Sequence, residues 1–167
     1  MPALIILAVI VLLAGLYVIG TYNVLVRLRQ HCRESWSGID TELKRRYNLI
    51  PNLIETVKGY AAHERGVFEA VTQARTRAIA SNGSPEHQAA DENMLVDSLR
   101  QLLAVSEGYP DLKASEHFMH LQTELVNTED RIQGARRFYN ANVRDLNTRV
   151  EVFPSCVIAQ IASVAKE

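Results

Sequence analysis

The sequence has few cysteines and no excess of charge of either sign, and each shortage excludes a class of protein. Eighteen Lys and Arg balance nineteen Asp and Glu, so the basic stripe of a nucleic-acid-binding protein is missing and we expect no nucleic-acid partner. The two cysteines, Cys32 and Cys156, fit no metal or redox spacing and are expected to be reduced, small apolar residues. Strand-like alternation is almost absent, which predicts an all-α protein.

Charge is also missing from the first 26 residues. Residues 4–22, as a helix, would rise roughly 28 Å, close to the ~30 Å hydrocarbon core of a bilayer. We therefore predict a transmembrane anchor over residues 1–23. A cleaved signal peptide is the alternative, but Met1-Pro2-Ala3 contains no Lys or Arg and no A-x-A site follows.

The cations that follow the anchor predict its orientation. Arg27, Arg29 and Arg33 come soon after the span, which places the rest of the chain in the cytoplasm and the N-terminus outside. Tyr22, Arg27 and Arg29 are expected at the membrane interface, where long cationic side chains extend towards the headgroups. The lipid bilayer is thus the first expected partner.

After the anchor, apolar residues recur every three or four positions over many turns, the spacing of a helix that buries one face. The seam passes through Pro51 without losing phase, so we predict one long helix kinked at Pro51, where the helix loses a hydrogen bond. A break at residues 48–51, giving a four-helix bundle, is the alternative. The seam comprises Leu25, Leu28, Cys32, Trp36, Ile39, Leu43, Tyr47, Ile50, Ile54, Val57, Ala61, Phe68 and Val71.

Two more helices follow a loop at residues 81–85, where Ser84 is a natural N-cap and Pro85 a natural first helical residue. The first is polar over residues 86–93 and should dock by its second half. The last, about residues 115–152, has a coiled-coil-like seam in which Thr128 and Asn142 are polar and are expected to fix register. Residues 24–153 are thus predicted to form a cytoplasmic bundle, and residues 154–167 a short amphipathic tail.

Several segments resemble the LemA family of bacterial membrane proteins. They are the Trp36-x-x-Ile39-Asp40 motif, LKRRYNLIPNLIETVKGYAAHE at 43–64, EGYPDLKASEHF at 107–118, LQTELVNTEDRI at 121–132, ARRFYNANV at 135–143 and VFP at 152–154. The resemblance implies a bacterial inner-membrane protein with one membrane helix running into an antiparallel bundle of three or four long helices. It also implies action with membrane proteases or in membrane organisation, with no established catalytic activity. The tail departs from the family, whose members often continue with glycine and phenylalanine.

Motifs for chemistry are scarce. His117 and His120 have helical metal-ligand spacing, but no Glu-x-x-His pair or H-E-x-x-H motif accompanies them, so we expect no metal, cofactor or enzymatic activity. Lys44-Arg45-Arg46 is the densest basic run. A straight helix would carry it roughly 30 Å beyond the span, farther than the ~8 Å Debye length, which favours ion pairing within the bundle or between subunits.

The expected function is a membrane-anchored helical scaffold that self-associates, with Trp36, Lys44, Arg45, Arg46, Thr128 and Asn142 as candidate interaction or register residues. The alternative is a single-copy regulatory adaptor of a membrane protease or signalling protein. A heptad-like seam cannot distinguish these, because it can be covered by the chain's own helices or by a neighbour.

Overall fold

The computed structural model describes residues 1–81 and 85–166, and these residues form helices and their connections with no strand. The helices are α1 (Pro2–Lys58), α2 (Arg65–Ala80), α3 (Pro85–Ser106), α4 (Pro110–Lys113), α5 (Glu116–Glu151) and α6 (Ser155–Ile161). The predicted all-α fold is confirmed. The chain divides into two compact units: unit 1 is Met1–Thr41 with Ile132–Glu167, and unit 2 is Glu42–Arg131. The predicted domain boundaries at residues 23 and 153 remain predictions.

The start of α1 has no protein cover. Residues 1–20 are all exposed, and within the described part of the chain α1 is the one helix long and apolar enough to cross a membrane. The first buried residue is Leu25. An apolar helix segment that is exposed on every side is what lipid rather than water would stabilise.

The helix α1 continues through Pro51, which confirms the predicted continuity. Proline has no N–H, so the carbonyl of Tyr47, four residues earlier, receives no helical hydrogen bond from position 51. The Nε–H of Arg75 on α2 donates to that carbonyl at 2.8 Å. A side chain from a neighbouring helix therefore supplies the donor that the proline removes.

The predicted extension of this helix to Val71 is wrong, because α1 ends at Lys58 and α2 begins only at Arg65. Gly59, the residue at the break, is the poorest helix former after proline. The N–H groups of Tyr60 and Ala61 both donate to the Val57 carbonyl. The seam survives the break, since Ala61 is 1% exposed within the connection and Phe68 and Val71 are buried on α2.

Unit 1 is built on an antiparallel pairing of α1 and α5. Trp36 packs edge-to-face on Tyr139 with ring centroids 5.2 Å apart, and the Asn142 amide nitrogen lies 3.3 Å from the His31 carbonyl oxygen, to which it donates. Position numbers fall on α1 as they rise on α5, so the helices run in opposite directions. The short α6 closes this core, whose buried residues are Leu25, Cys32, Leu146, Ile158, Ala159 and Val164.

The connections in unit 2 agree in part with the sequence. Pro85 is the first residue of α3, as predicted, while the predicted loop and the Ser84 cap at 82–84 lie outside the described residues. Before α5, the N–H of Phe118 donates to the Ser115 hydroxyl across a long 3.5 Å. Ser115 is thus the capping residue at this end of α5.

Candidate functional site

The feature of unit 2 that most needs explanation is a buried arginine. Arg46 on α1 has a side chain only 2% exposed, at a position in phase with Leu43 and Ile50. Its Nη1–H donates to Glu129 Oε2 on α5 at 2.7 Å. Its Nη2–H donates to Glu92 Oε2 on α3. One guanidinium therefore joins three helices.

The partner on α3 is buried as deeply. The Glu92 side chain is 1% exposed, and its second carboxylate oxygen, Oε1, accepts a hydrogen bond from the Tyr47 hydroxyl. Both oxygens of this carboxylate are thus paired, which is the condition under which a buried charge is tolerated. Glu129 differs, since its side chain is 38% exposed and water can screen it.

The numbers of positive and negative charges in this network determine how much each substitution should destabilise unit 2. Arg46 is one cation facing two carboxylates, of which Glu92 is fully enclosed. Removing one member of a buried pair leaves the other charge desolvated, and this costs roughly 3–5 kcal/mol. We therefore expect Glu92 to matter far more than Glu129 for the stability of unit 2.

An open groove lies against this network between α3 and α5. It has a volume of about 260 Å³, and Arg46 and Glu129 line it together with apolar side chains. Val126 on its α5 side is 55% exposed. Arg100 also lines the groove and pairs with Asp97 at 3.1 Å. The groove therefore combines an apolar wall with polar groups. Its apolar lining consists of Val96, Leu99, Leu103, Leu125 and Val126.

The remaining residues of the basic run have surroundings different from those of Arg46. Lys44 and Arg45 are exposed, and Arg45 pairs with Glu42 at 3.7 Å, one helical turn earlier. Only the third cation of the run thus enters the core of unit 2.

The two polar seam residues of α5 lie in different units. Thr128 in unit 2 is 1% exposed, and its hydroxyl donates to the Glu124 carbonyl of its own helix at 2.7 Å. Asn142 in unit 1 is half-buried and donates to α1, as described above. Asn142 therefore bridges two helices, whereas the hydroxyl of Thr128 bonds within its own helix.

The predicted interface residues lie in unit 1. Tyr22, Arg27 and Arg29 are exposed on α1, and Trp36 is half-buried against Tyr139. Their role at a membrane or partner stays a prediction.

The histidines considered for metal binding are on the surface. His117 and His120 are both exposed at the start of α5. In residues 1–81 and 85–166, no group of three or more His, Cys, Asp or Glu side chains is placed to hold a metal ion.

Sequence reasoning missed Glu92. Glu92 lies in the polar stretch before the apolar half of α3, where exposure is the simple expectation. The spacing nevertheless indicates that Glu92 is on the buried face of the helix, because it precedes Leu95 by three residues and Leu95 precedes Leu99 by four. A carboxylate in phase on one helix and an arginine in phase on another indicate a buried ion pair.

Comparison with known proteins covers most of the chain. The LemA family model matches residues 35–167. The magnetosome protein MamQ of Magnetospirillum gryphiswaldense is 25% identical over 165 positions, covering 84% of this chain and 61% of that protein. The magnetosome protein MamQ 2 of Paramagnetospirillum magneticum is 27% identical, with 80% and 58% covered. Protein LemA of Metamycoplasma hominis is 27% identical, with 85% and 65% covered. The chain spans about three fifths of the length of these relatives.

Proposed function

Because this chain belongs to the LemA family and is a membrane-associated protein, we propose that it is a membrane-anchored helical scaffold that self-associates and catalyses no reaction. The observation that carries the proposal is the continuity of α1. One helix runs from the exposed apolar residues 1–20 to the buried seam of unit 2 and ends at Lys58. Because residues of both units lie on α1, a partner bound to either unit is connected to the apolar segment through this helix.

In the proposed topology, residues 1–23 span the bacterial inner membrane with the N-terminus outside and the helical units in the cytoplasm. The cations Arg27, Arg29 and Arg33 follow the span and support this orientation. Proteolysis of sealed inverted vesicles tests the orientation directly: the helical units should be digested, and protection of those units would contradict it.

The groove between α3 and α5 is the surface we assign to self-association. It is lined by five apolar side chains, and Val126 on its wall is more than half exposed. Apolar surface of this kind is stabilised when a second chain removes it from water, at roughly 25 cal/mol per Å². Arg100 and Glu129 line the same groove and carry charges of opposite sign, which suits contact with a second copy of the same surface.

Native mass spectrometry of the full-length protein in mild detergent tests the proposal. We expect a discrete multiple of the 18.7 kDa chain mass. Val126→Asp should shift the protein towards single chains, whereas Ile79→Asp, at a residue 49% exposed on α2, is the matched control and should not. A wild-type protein that is a single chain would contradict self-association and favour the adaptor of a membrane protease or signalling protein.

A further inference from the structure

The turn between α5 and α6, together with α6 itself, exposes large apolar side chains in unit 1. Phe153, in the turn between α5 and α6, is 78% exposed, and Ile161 at the end of α6 is 81% exposed. Val152 and Val157 are each about half exposed. Val157 and Ile161 are four residues apart on α6, so they lie on one face of that helix. We refer to these four residues as the turn patch.

The pairing of α1 and α5 shows how far along α1 the turn patch lies. Tyr139 contacts Trp36, and Asn142 contacts His31. Further along α5, Arg149 lines a cleft with residues 17, 20 and 21 of α1. Each step towards the end of α5 is thus a step towards the apolar span.

The level of Phe153 follows from the position of Arg149. The cleft that Arg149 shares with Tyr17, Gly20 and Thr21 has a volume of about 320 Å³. Phe153 is four residues after Arg149, about one helical turn or ~6 Å farther along. The N–H of Val152 still donates to the Thr148 carbonyl, so the helical path continues almost to Phe153. Phe153 therefore lies level with the last turns of the apolar segment rather than beyond its end.

The charges around the turn patch suit the headgroup zone of a bilayer. Arg149 is exposed next to the apolar segment, where a long cationic side chain can reach phosphates while its stem stays in apolar surroundings. Glu151 is neutralised locally by an ion pair with Lys166. The turn patch is therefore flanked by the cation Arg149 and by the Glu151–Lys166 ion pair, which has no net charge. Apolar side chains next to cations are typical of segments that insert into the interfacial layer of a bilayer.

We propose that the turn patch inserts into the lipid interface next to the anchor, with Phe153 among the upper acyl chains and Arg149 at the phosphates. The inference rests on the proposed anchoring of residues 1–23. It adds a second membrane contact to the protein, so that α5 as well as α1 is held at the bilayer. The occupant of the patch is lipid, because Phe153 follows Arg149 by one turn and Arg149 lies beside residues 17, 20 and 21 of a segment whose residues 1–20 are all exposed.

Depth-dependent quenching of tryptophan fluorescence tests this. Trp36→Phe removes the single native tryptophan and keeps an aromatic ring against Tyr139. Phe153→Trp, Phe138→Trp and Tyr17→Trp are each made in that background, and the full-length proteins are reconstituted in phosphatidylcholine and phosphatidylglycerol vesicles. Part of the phosphatidylcholine is brominated in the upper acyl chain, where bromine quenches a nearby indole.

We expect Phe153→Trp to lose emission in brominated vesicles to an extent close to that of Tyr17→Trp. The Phe138 variant is the matched control, because Phe138 is also an exposed phenylalanine of unit 1, at 63%, but lies one residue before Tyr139, at the level of Trp36. It should keep its emission. Quenching at position 17 without quenching at position 153 would overturn the inference, including the case in which a neighbouring protein covers the patch. Absence of quenching at both positions would overturn the anchoring as well.

Discussion

The contact between Arg75 and the carbonyl of Tyr47 gives the sharpest test of how this fold accommodates Pro51. The Nε–H of Arg75 donates to that carbonyl at 2.8 Å, and position 51 has no N–H to offer it. A hydrogen bond from a charged group contributes about 1.5–3 kcal/mol. Arg75 is half-buried, so we expect Arg75→Met, which keeps the aliphatic stem, to cost about 1.5 kcal/mol of unfolding free energy.

The cost of Arg75→Met in unfolding free energy should depend on whether position 51 is proline. In Pro51→Ala the new N–H at position 51 can donate to the Tyr47 carbonyl in the ordinary helical way. The carbonyl then no longer depends on Arg75, and Arg75→Met should cost only about 0.5 kcal/mol in that background. The expected coupling free energy between positions 51 and 75 is therefore about 1 kcal/mol.

Equilibrium unfolding of the four proteins in detergent, followed by far-UV circular dichroism, gives the double-mutant cycle. Hydrogen exchange of peptides covering residues 43–58 shows whether the change lies in α1 of unit 2. Arg77→Met is the control, because Arg77 is on the same helix and its polar contact is with the Met94 sulfur at 3.5 Å; it should change stability by no more than about 0.5 kcal/mol. Equal costs of Arg75→Met in the two backgrounds would refute the reasoning.

Three further variants or measurements follow from the contacts described. Glu92→Gln should destabilise unit 2 by about 3 kcal/mol, because Arg46 keeps only its partly exposed partner, and should cost much less in the Arg46→Met background; denaturant unfolding checks both, and equal costs would exclude the pairing. Asn142→Ala should cost about 1 kcal/mol by losing its hydrogen bond to α1, measured the same way, with no change contradicting a bridging role. Cys156, half-buried, should react with a maleimide before Cys32, which is 1% exposed; mass spectrometry follows the labelling, and the reverse order would contradict the packing of unit 1.

Helical periodicity predicted the core well because burial repeats along a helix. The seam residues from Leu25 to Val71, on α1, α2 and the connection between them, are buried, except that Leu28 and Trp36 are half-buried. The end of α1 was harder to predict, since Gly59 lowers helix stability by only about 1 kcal/mol and the apolar phase continues through the connection. Apolar periodicity shows which face of a helix is buried. A helix end is hard to detect from it when the apolar spacing continues into the next helix.

The candidate site is harder to predict from the sequence, because the residue types of Arg46 and Glu92 favour exposure whereas their helical phase favours burial. Arg46 is in phase between Leu43 and Ile50, and Glu92 is in phase with Leu95. Each charge alone at such a position would be expensive, since burying one unpaired costs several kcal/mol. Together on different helices they are tolerable, and one sequence does not say which helices meet.

The cost of burying charge also indicates what the network contributes. Apolar side chains of similar size at a buried ion pair often give equal or greater stability, so net stabilisation is a poor reason for Arg46 and Glu92 to be present. Their effect on alignment is larger. A slip of α3 by one turn along α1 would separate Glu92 from Arg46, leaving the buried carboxylate without its cation and Arg46 with only its partly exposed partner Glu129, at a cost of roughly several kcal/mol. In the observed alignment, Arg46 is paired with both Glu92 and Glu129. We infer that the network selects one register of α1, α3 and α5 in unit 2. The shape of the groove depends on that register, because residues of all three helices line it. Helices that pack through repeating apolar residues can slide past one another by a turn with little loss of apolar contact, so a buried polar contact is needed to keep one alignment.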